Sequence, residues 1–424
     1  MTAAARAPQT LAQKLIARAC GRAQVAVGEI VSCGVDLAMF HDSSGPRRLQ
    51  PMLEELGAEL WDKSRVVLVM DHYVPERDED SRRIVRIARD WARDQALPHV
   101  YDSQGICHVV VPQHGHIRPG MLCVGGDSHS PTGGAFGAYM FGVGSTEMLG
   151  VVVTGQIWLR VPETIRLWWD GALPAGVTAK DMMLSMIGRF GMNGGRYQAV
   201  EFCGPAVTAL SMQERMTLSN MSAELGAQAG LIAPDATTAA FLAEAGVPAV
   251  DTAPWFTDAD AAFELHRFDA AALEPQVAAP HSPANAHGVS RDAGTPVDVA
   301  YIGACTGAKL DDLRAAAQVL RGRKVAPGVR LIVAPASLRD QDRAREEGVL
   351  QVLLEAGAEL YPTACGACSG YGDPLGDVTV ISTTARNFKG RMGSPNAQVY
   401  LGSPYTVAAS ALRGCVTDPR EVLA

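Results

Sequence analysis

Val297-Asp-Val-Ala-Tyr-Ile302-Gly-Ala-Cys305-Thr-Gly is an apolar run that ends at a cysteine set among small residues. It reads as a buried strand that delivers a chemical group at its carboxyl end. The same pattern recurs along the chain. Ala358-Glu-Leu-Tyr361 runs into Thr363-Ala-Cys365-Gly-Ala-Cys368-Ser-Gly, and Val378–Ser382 runs into Arg386-Asn-Phe-Lys-Gly-Arg391. Far upstream, Val66-Val-Leu-Val-Met70 leads into Asp71-His72, and Met121-Leu-Cys-Val leads into Asp127-Ser128-His129. Helical stretches at Asp78–Asp94, Leu310–Leu320 and Arg339–Glu355 separate these runs. Strands alternating with helices predict an α/β fold, with ligands gathered beyond the carboxyl ends of parallel strands.

The residue types at those ends suggest two kinds of chemistry. Small residues around Cys305, Cys365 and Cys368 let the backbone approach a bulky inorganic group and donate amides to it. Four thiolates would close a zinc site or a fully ligated cluster, whereas three leave one metal position open. A lone Cys-x-x-Cys fits a redox pair or half a zinc site equally well. The upstream Asp-His pairs, with His108 in Gly105-Ile-Cys-His108, suit acid/base work, because a carboxylate fixes an imidazole's tautomer and raises its basicity. Arg386 and Arg391 carry the planar fork that matches a carboxylate.

Three separated motifs then resemble one family. Gly126-Asp-Ser-His-Ser-Pro-Thr-Gly-Gly-Ala-Phe-Gly-Ala-Tyr-Met-Phe-Gly-Val-Gly-Ser-Thr-Glu147 is similar to the first signature of the aconitase superfamily. Cys365-Gly-Ala-Cys368 resembles the second, and Arg386–Arg391 the substrate-binding arginine loop. The likeness runs from about Thr10 to Pro419. Within the superfamily it is greatest to the large-subunit family of 3-isopropylmalate dehydratases, in the short form that includes homoaconitases.

The resemblance implies three α/β domains packed around a [4Fe–4S] cluster, without the swivelling fourth domain. Cys305, Cys365 and Cys368 would bind three irons. The fourth, lacking a cysteine, would act as a Lewis acid on a hydroxyl and a carboxylate. It also implies that His72, supported by Asp71, protonates the departing hydroxyl. Asp127 and His129 would hydrogen-bond the iron-bound water, with His108 beside them. Glu201 resembles the active-site glutamate, and Ser128, Arg386 and Arg391 would bind substrate carboxylates. The expected reaction is the dehydration and rehydration of a 2- or 3-hydroxy di- or tricarboxylate. Isopropylmalate or a substituted malate comes first, then maleate, citraconate, dimethylmaleate or homoaconitate. A non-catalytic scaffold or RNA-binding role is the alternative of another class. The family's carbon base is a serine on the swivelling domain, and no segment here resembles that domain. A small partner subunit is therefore expected, in a heterodimer or heterotetramer. The chain departs from the family pattern at Gly307 and Ala385, where asparagine is usual, and at Ala367, where proline is usual.

Composition agrees with an enzyme of small acids. Apolar residues make up 47% of the chain, and no run reaches the length of a membrane span. A formal net charge of −8 gives no basic footprint for nucleic acid. Residues 1–28 hold basic but no acidic side chains. Leu11-Ala-Gln-Lys-Leu-Ile-Ala-Arg-Ala has helical periodicity, so only the first nine or so residues read as an extension rather than a transit peptide. Thiolate ligands imply a reducing, cytoplasmic setting. Three units are expected, at 1–160, 161–295 and 296–424. Gly133–Gly155 and Met212–Gln228 are read as helices, and Phe268–Thr295 as a linker.

Overall fold

The computed structural model describes residues 7–371 and 375–423, so residues 1–6 of the proposed extension lie outside the described residues. The first sheet has five parallel strands in the order His99–Asp102, Val66–Met70, Leu37–His41, Leu122–Gly125, Tyr139–Gly142. By chain order this is 3-2-1-4-5, a doubly wound sheet. Its direction of growth reverses between Leu37–His41 and Leu122–Gly125, and a crevice opens beyond the strand ends at such a point. Val66–Met70 is buried throughout, which explains its unbroken apolar run.

The third unit repeats that order. Ala358–Leu360, Arg330–Val333, Val299–Ile302, Thr379–Ser382 and Gln398–Gly402 are parallel neighbours. The reversal falls between Val299–Ile302 and Thr379–Ser382, the strands that lead to Cys305 and to the arginine loop. The middle unit is a parallel sheet of Ala229–Leu231, Ala199–Cys203, Thr164–Asp170 and Glu264–Asp269.

Four sequence expectations change. Gly133–Gly155 is not one helix: a 3₁₀ segment Ser130–Phe136 is followed by the strand Tyr139–Gly142 and the helix Ser145–Thr154. Tyr-Met-Phe is a strand-favouring run, and pairing with Leu122–Gly125 overrides the small residues around it. The expected helix Arg339–Glu355 is two helices, Leu338–Glu346 and Val349–Ala356, parted by a left-handed Gly348. The helix from Met212 ends at Met221. Phe268–Thr295 is not a free linker: Gln276–Ala278 and Ala286–Gly288 pair antiparallel and extend the third sheet beside Gln398–Gly402. The third unit therefore starts some twenty residues before the expected boundary at 295/296. Gln156–Arg160 pairs with Ile30–Gly34, and the second sheet starts at Thr164.

The carboxyl-end crevices of the first and third sheets meet. Gly105 bridges Ser337, and the flanking Ile106 N–H and Leu338 N–H donate to Ala336 O and Gln104 O. Gly105 sits at φ +127°, and a Cβ there would lie 2.5 Å from the Ala336 carbonyl oxygen, so only glycine permits this approach. The Cys365 N–H donates to Asp71 O at 2.8 Å, joining the two sheets at the chemistry itself.

Candidate active site

Strand ends place the carboxylates of the first sheet's crevice, and the helix Cys107–Gln113 places His108. Asp71 is fully buried; its Oδ1 lies 2.7 Å from His72 Nδ1 and its Oδ2 accepts the Cys107 N–H at 2.6 Å. Asp42 holds the same turn by accepting the N–H groups of His72 and Tyr73 at 3.1 and 2.7 Å. Asp127 lies 2.7 Å from His108 Nε2 and accepts the His129 N–H at 2.7 Å. The other Asp127 oxygen is 3.9 Å from His72 Nε2 and 3.6 Å from His41 Nε2. Two groupings here have metal-ligand types within reach of one another: His41, Asp42, Asp71 and His72, and His108, Asp127 and His129. Their atoms already pair with each other, which suits proton transfer.

Charge sets the protonation of these groups. Burial alone would push His72 below its ordinary pKa, but the adjacent Asp71 carboxylate outweighs it and raises His72 to about 9. Burial opposes the charged form of His129 as well, and Glu224 lifts it to about 9. His108 moves the other way: burial dominates and lowers it despite Asp127. The site thus holds imidazoles of unlike acidity around one ionised Asp127, whose pKa these histidines pull well below the usual range against the effect of burial. Unlike acidities around one site are what acid/base chemistry needs.

The third sheet contributes thiols and cations. Cys305 and Cys368 are buried and Cys365 is partly buried, and none is in a disulfide. Burial raises Cys305 to about 12. Cys365 and Cys368 share a proton: their mutual hydrogen bond raises the first and lowers the second, with Arg391 and His129 also favouring the Cys368 thiolate. Arg386 Nη2 donates to Ser128 Oγ at 3.0 Å, and its Nε donates to Glu224 Oε1 at 2.6 Å.

Asp71, His72, His108, Asp127, Ser128, His129 and Arg386 are therefore joined into one network, with Arg391 beside Cys368. Glu201 is not part of it. It lies in the middle sheet directly opposite Arg166 on the neighbouring strand; Arg166 donates to its Oε1 at 3.1 Å, and Thr257 donates to its Oε2 at 2.5 Å. That is a structural ion pair, and the expectation that Glu201 serves the site is corrected. Glu224 takes its place: fully buried, it shares Oε1 between His129 Nε2, at 3.0 Å, and Arg386.

Sequence reasoning also missed His41, Asp42 and Asn220. His41 stacks on His72 with ring centroids 3.8 Å apart. Both His41 and Asp42 sit at the end of the first strand, where the strand-end rule would have found them. Asn220 and Glu224 give a weaker signal: a helix and the turn after it that carry Thr217, Ser219, Asn220, Ser222 and Glu224, all buried, are too polar for a mere core element.

The protein's residues fit an iron–sulfur group. The thiols of Cys305, Cys365 and Cys368 interact electrostatically with one another, and Asn220 Nδ2 donates to Cys305 Sγ at 3.2 Å. Four buried polar atoms of this region have no hydrogen-bond partner among the described residues: His41 Nε2, Asn220 Oδ1, Glu224 Oε2 and Arg391 Nε. Buried polar atoms are seldom left so. The substitutions at the usual asparagines leave this set intact. A Cβ on Gly307 would lie 2.1 Å from Thr383 Cβ, so Thr383 already fills that space, and Ala385 packs in the apolar core of the middle unit.

Residues 16–296 and 290–414 match the model of the aconitase family (aconitate hydratase). The chain belongs to that family and is a hydro-lyase. It is similar to the 3-isopropylmalate dehydratase large subunit 1 of Methanopyrus kandleri, at 44% identity over 98% of this chain and 100% of that one. A probable methanogen homoaconitase large subunit of Methanosarcina mazei is 44% identical over 92% of this chain and 99% of its own length. Among solved structures, aconitase X of Thermococcus kodakaraensis covers 86% of this chain and 88% of its own with a TM-score of 0.49 and 12% identity.

Proposed function

We propose that this chain is the large subunit of an iron–sulfur dehydratase-isomerase. Cys305, Cys365 and Cys368 would hold a [4Fe–4S] cluster with one iron free of cysteine. When bound, that cluster supplies Lewis-acid polarisation of the substrate hydroxyl. The substrate is a 2- or 3-hydroxy di- or tricarboxylate, first of all 3-isopropylmalate and its 2-hydroxy isomer. The observation that carries the reading is the contact between the two strand-end crevices, through Cys365 with Asp71 and Arg386 with Ser128. It puts the Asp71–His72 pair, the ionised Asp127 and the Arg386 guanidinium around three thiols.

His72, kept protonated by Asp71, gives its Nε2 proton to the departing hydroxyl. Asp127 and His108 order the oxygen being transferred. Arg386, fixed by Glu224 and Ser128, takes a substrate carboxylate bidentately, and Arg391 supplies further positive charge. The base for the carbon-bound proton is assigned to a small subunit. Relatives named as large subunits support that partner. The free thiols suit a reducing compartment such as the cytoplasm, and no helix among the described residues is long and apolar enough to cross a membrane.

The test is anaerobic purification alone and with a co-expressed small subunit. Iron, acid-labile sulfide and the visible absorbance band report the cluster. Ultraviolet loss or gain of the unsaturated diacid reports turnover across isopropylmalate, homocitrate, citraconate and maleate. The complex should turn over at least one of these, and the single chain far less. A fully loaded complex that hydrates none would refute the reading.

A further inference from the structure

Two buried lysines flank the Cys305 loop, and among the described residues only Lys309 is in an ion pair. Lys309 Nζ pairs with Asp312 at 2.7 Å and donates to Thr217 Oγ1 and to Cys305 O at 2.9 and 3.0 Å. Lys180 is 1% exposed, and its Nζ donates only to neutral oxygens: Thr384 O at 2.6 Å, Thr383 O at 3.0 Å and Thr306 Oγ1 at 3.4 Å. Among the described residues no carboxylate pairs with it. A buried ammonium without an anion is costly and persists only when something repays the lost hydration.

Its position shows what that is. Lys180 lies in the first turn of the helix Ala179–Phe190 of the middle unit and reaches across to two loops of the third. Thr306 adjoins Cys305, while Thr383 and Thr384 lead to Arg386. Burial lowers the Lys180 pKa to about 8, and Glu224, then Cys368 and Cys305, resist this. Glu224 is already bonded to Arg386 and His129. The thiols of Cys368 and Cys305 come next, and they are the groups that a cluster would ionise.

We propose that Lys180 is the fixed counter-charge of the iron–sulfur cluster, an inference that rests on the cluster reading above. A core held by three thiolates is net anionic and gains further negative charge on reduction. A buried cation one loop away favours that reduced state and holds the thiolates in their ionised form. Lys180 is thus a positioning residue: it acts on the cluster through its charge and on the Cys305 and arginine loops through its hydrogen bonds.

Lys180→Gln and Lys180→Met separate these two effects. Gln keeps a donor without the charge, and Met removes both. Each variant is reconstituted anaerobically beside the wild type. An EPR-monitored redox titration, iron release to a chelator and circular dichroism are then measured. Both variants should fold, bind a cluster, titrate at a more negative potential than the wild type, and lose iron about 10-fold faster. A Gln variant with the wild-type potential and release rate would overturn the inference and leave Lys180 as a hydrogen-bonded tie. Loss of folding in both would also overturn it, by making Lys180 a structural residue. A wild type without iron and sulfide would overturn the cluster reading itself, before any variant is made.

Discussion

The first and third sheets share a strand order and end in opposite chemistries. In the first, the ends of strands one, two and four carry His41-Asp42, Asp71-His72 and Asp127-Ser-His129. In the third, the ends of strands one, three and four carry Cys305, Cys365-Gly-Ala-Cys368 and the arginine loop. The carboxylates of the first side are bonded to imidazoles or backbone N–H groups. On the third side, Cys305 has one amide donor and Arg391 Nε has none among the described residues. One half is a proton network with a single open end, His41 Nε2, among the described residues, and the other is a set of donors shaped for a group that completes it. The scaffold supplies a crevice at each reversal point, and the residues grafted there decide what it does.

If that division is right, the halves should fail differently. The largest effect belongs to the thiols. Cys368→Ser should strip iron and sulfide and abolish turnover, while circular dichroism stays that of a folded α/β protein. Full iron and sulfide in this variant would break the assignment. His72→Ala comes next. It should lower kcat by about 10² or more, the range for a positioned proton donor, and leave the visible spectrum of the cluster unchanged. A bleached His72→Ala protein would erase the distinction between the halves.

Glu224 and Glu201 sharpen the comparison at a smaller scale. Both are buried glutamates paired with an arginine. Only Glu224 touches His129 and Arg386. Glu224→Gln should raise KM and lower kcat, together costing roughly 10-fold to 10²-fold in kcat/KM. Glu201→Gln should lower the melting temperature and leave kcat/KM near the wild type. The reverse pattern would return Glu201 to the site.

Those two glutamates also show what the sequence could convey. Strand ends were legible because an apolar run that stops at Asp-His, Asp-Ser-His or Cys has a short-range signature. Glu201 was misread because a strand glutamate beside a catalytic crevice and one opposite Arg166 look alike in a local window; the difference is a register 35 residues away. Glu224, Asn220 and Lys180 left no such signature. Their partners lie 162, 85 and 204 residues away, at Arg386, Cys305 and Thr384. The shared strand order of the two sheets was equally hidden, because it repeats topology and not residues.

The smallest expected effect is a shift in pH dependence, and it tests the join between Asp71 and His72. Proton donation needs His72 protonated. With Asp71 ionised beside it, its folded pKa is raised to about 9, so activity should fall as pH rises through that value. The same sign governs stability: the Asp71–His72 contribution is complete below the ordinary histidine range and is lost as pH climbs through about 9. In Asp71→Asn the amide oxygen can still accept the Cys107 N–H. The amide nitrogen then donates to His72 Nδ1 and favours a neutral ring with its proton on Nε2. Burial is left unopposed by that carboxylate. The alkaline limb of kcat should therefore move down by roughly one pH unit or more, whatever happens to the plateau. A limb that stays near pH 9 in Asp71→Asn would assign it to another group, with His129, which Glu224 also raises to about 9, the next to test.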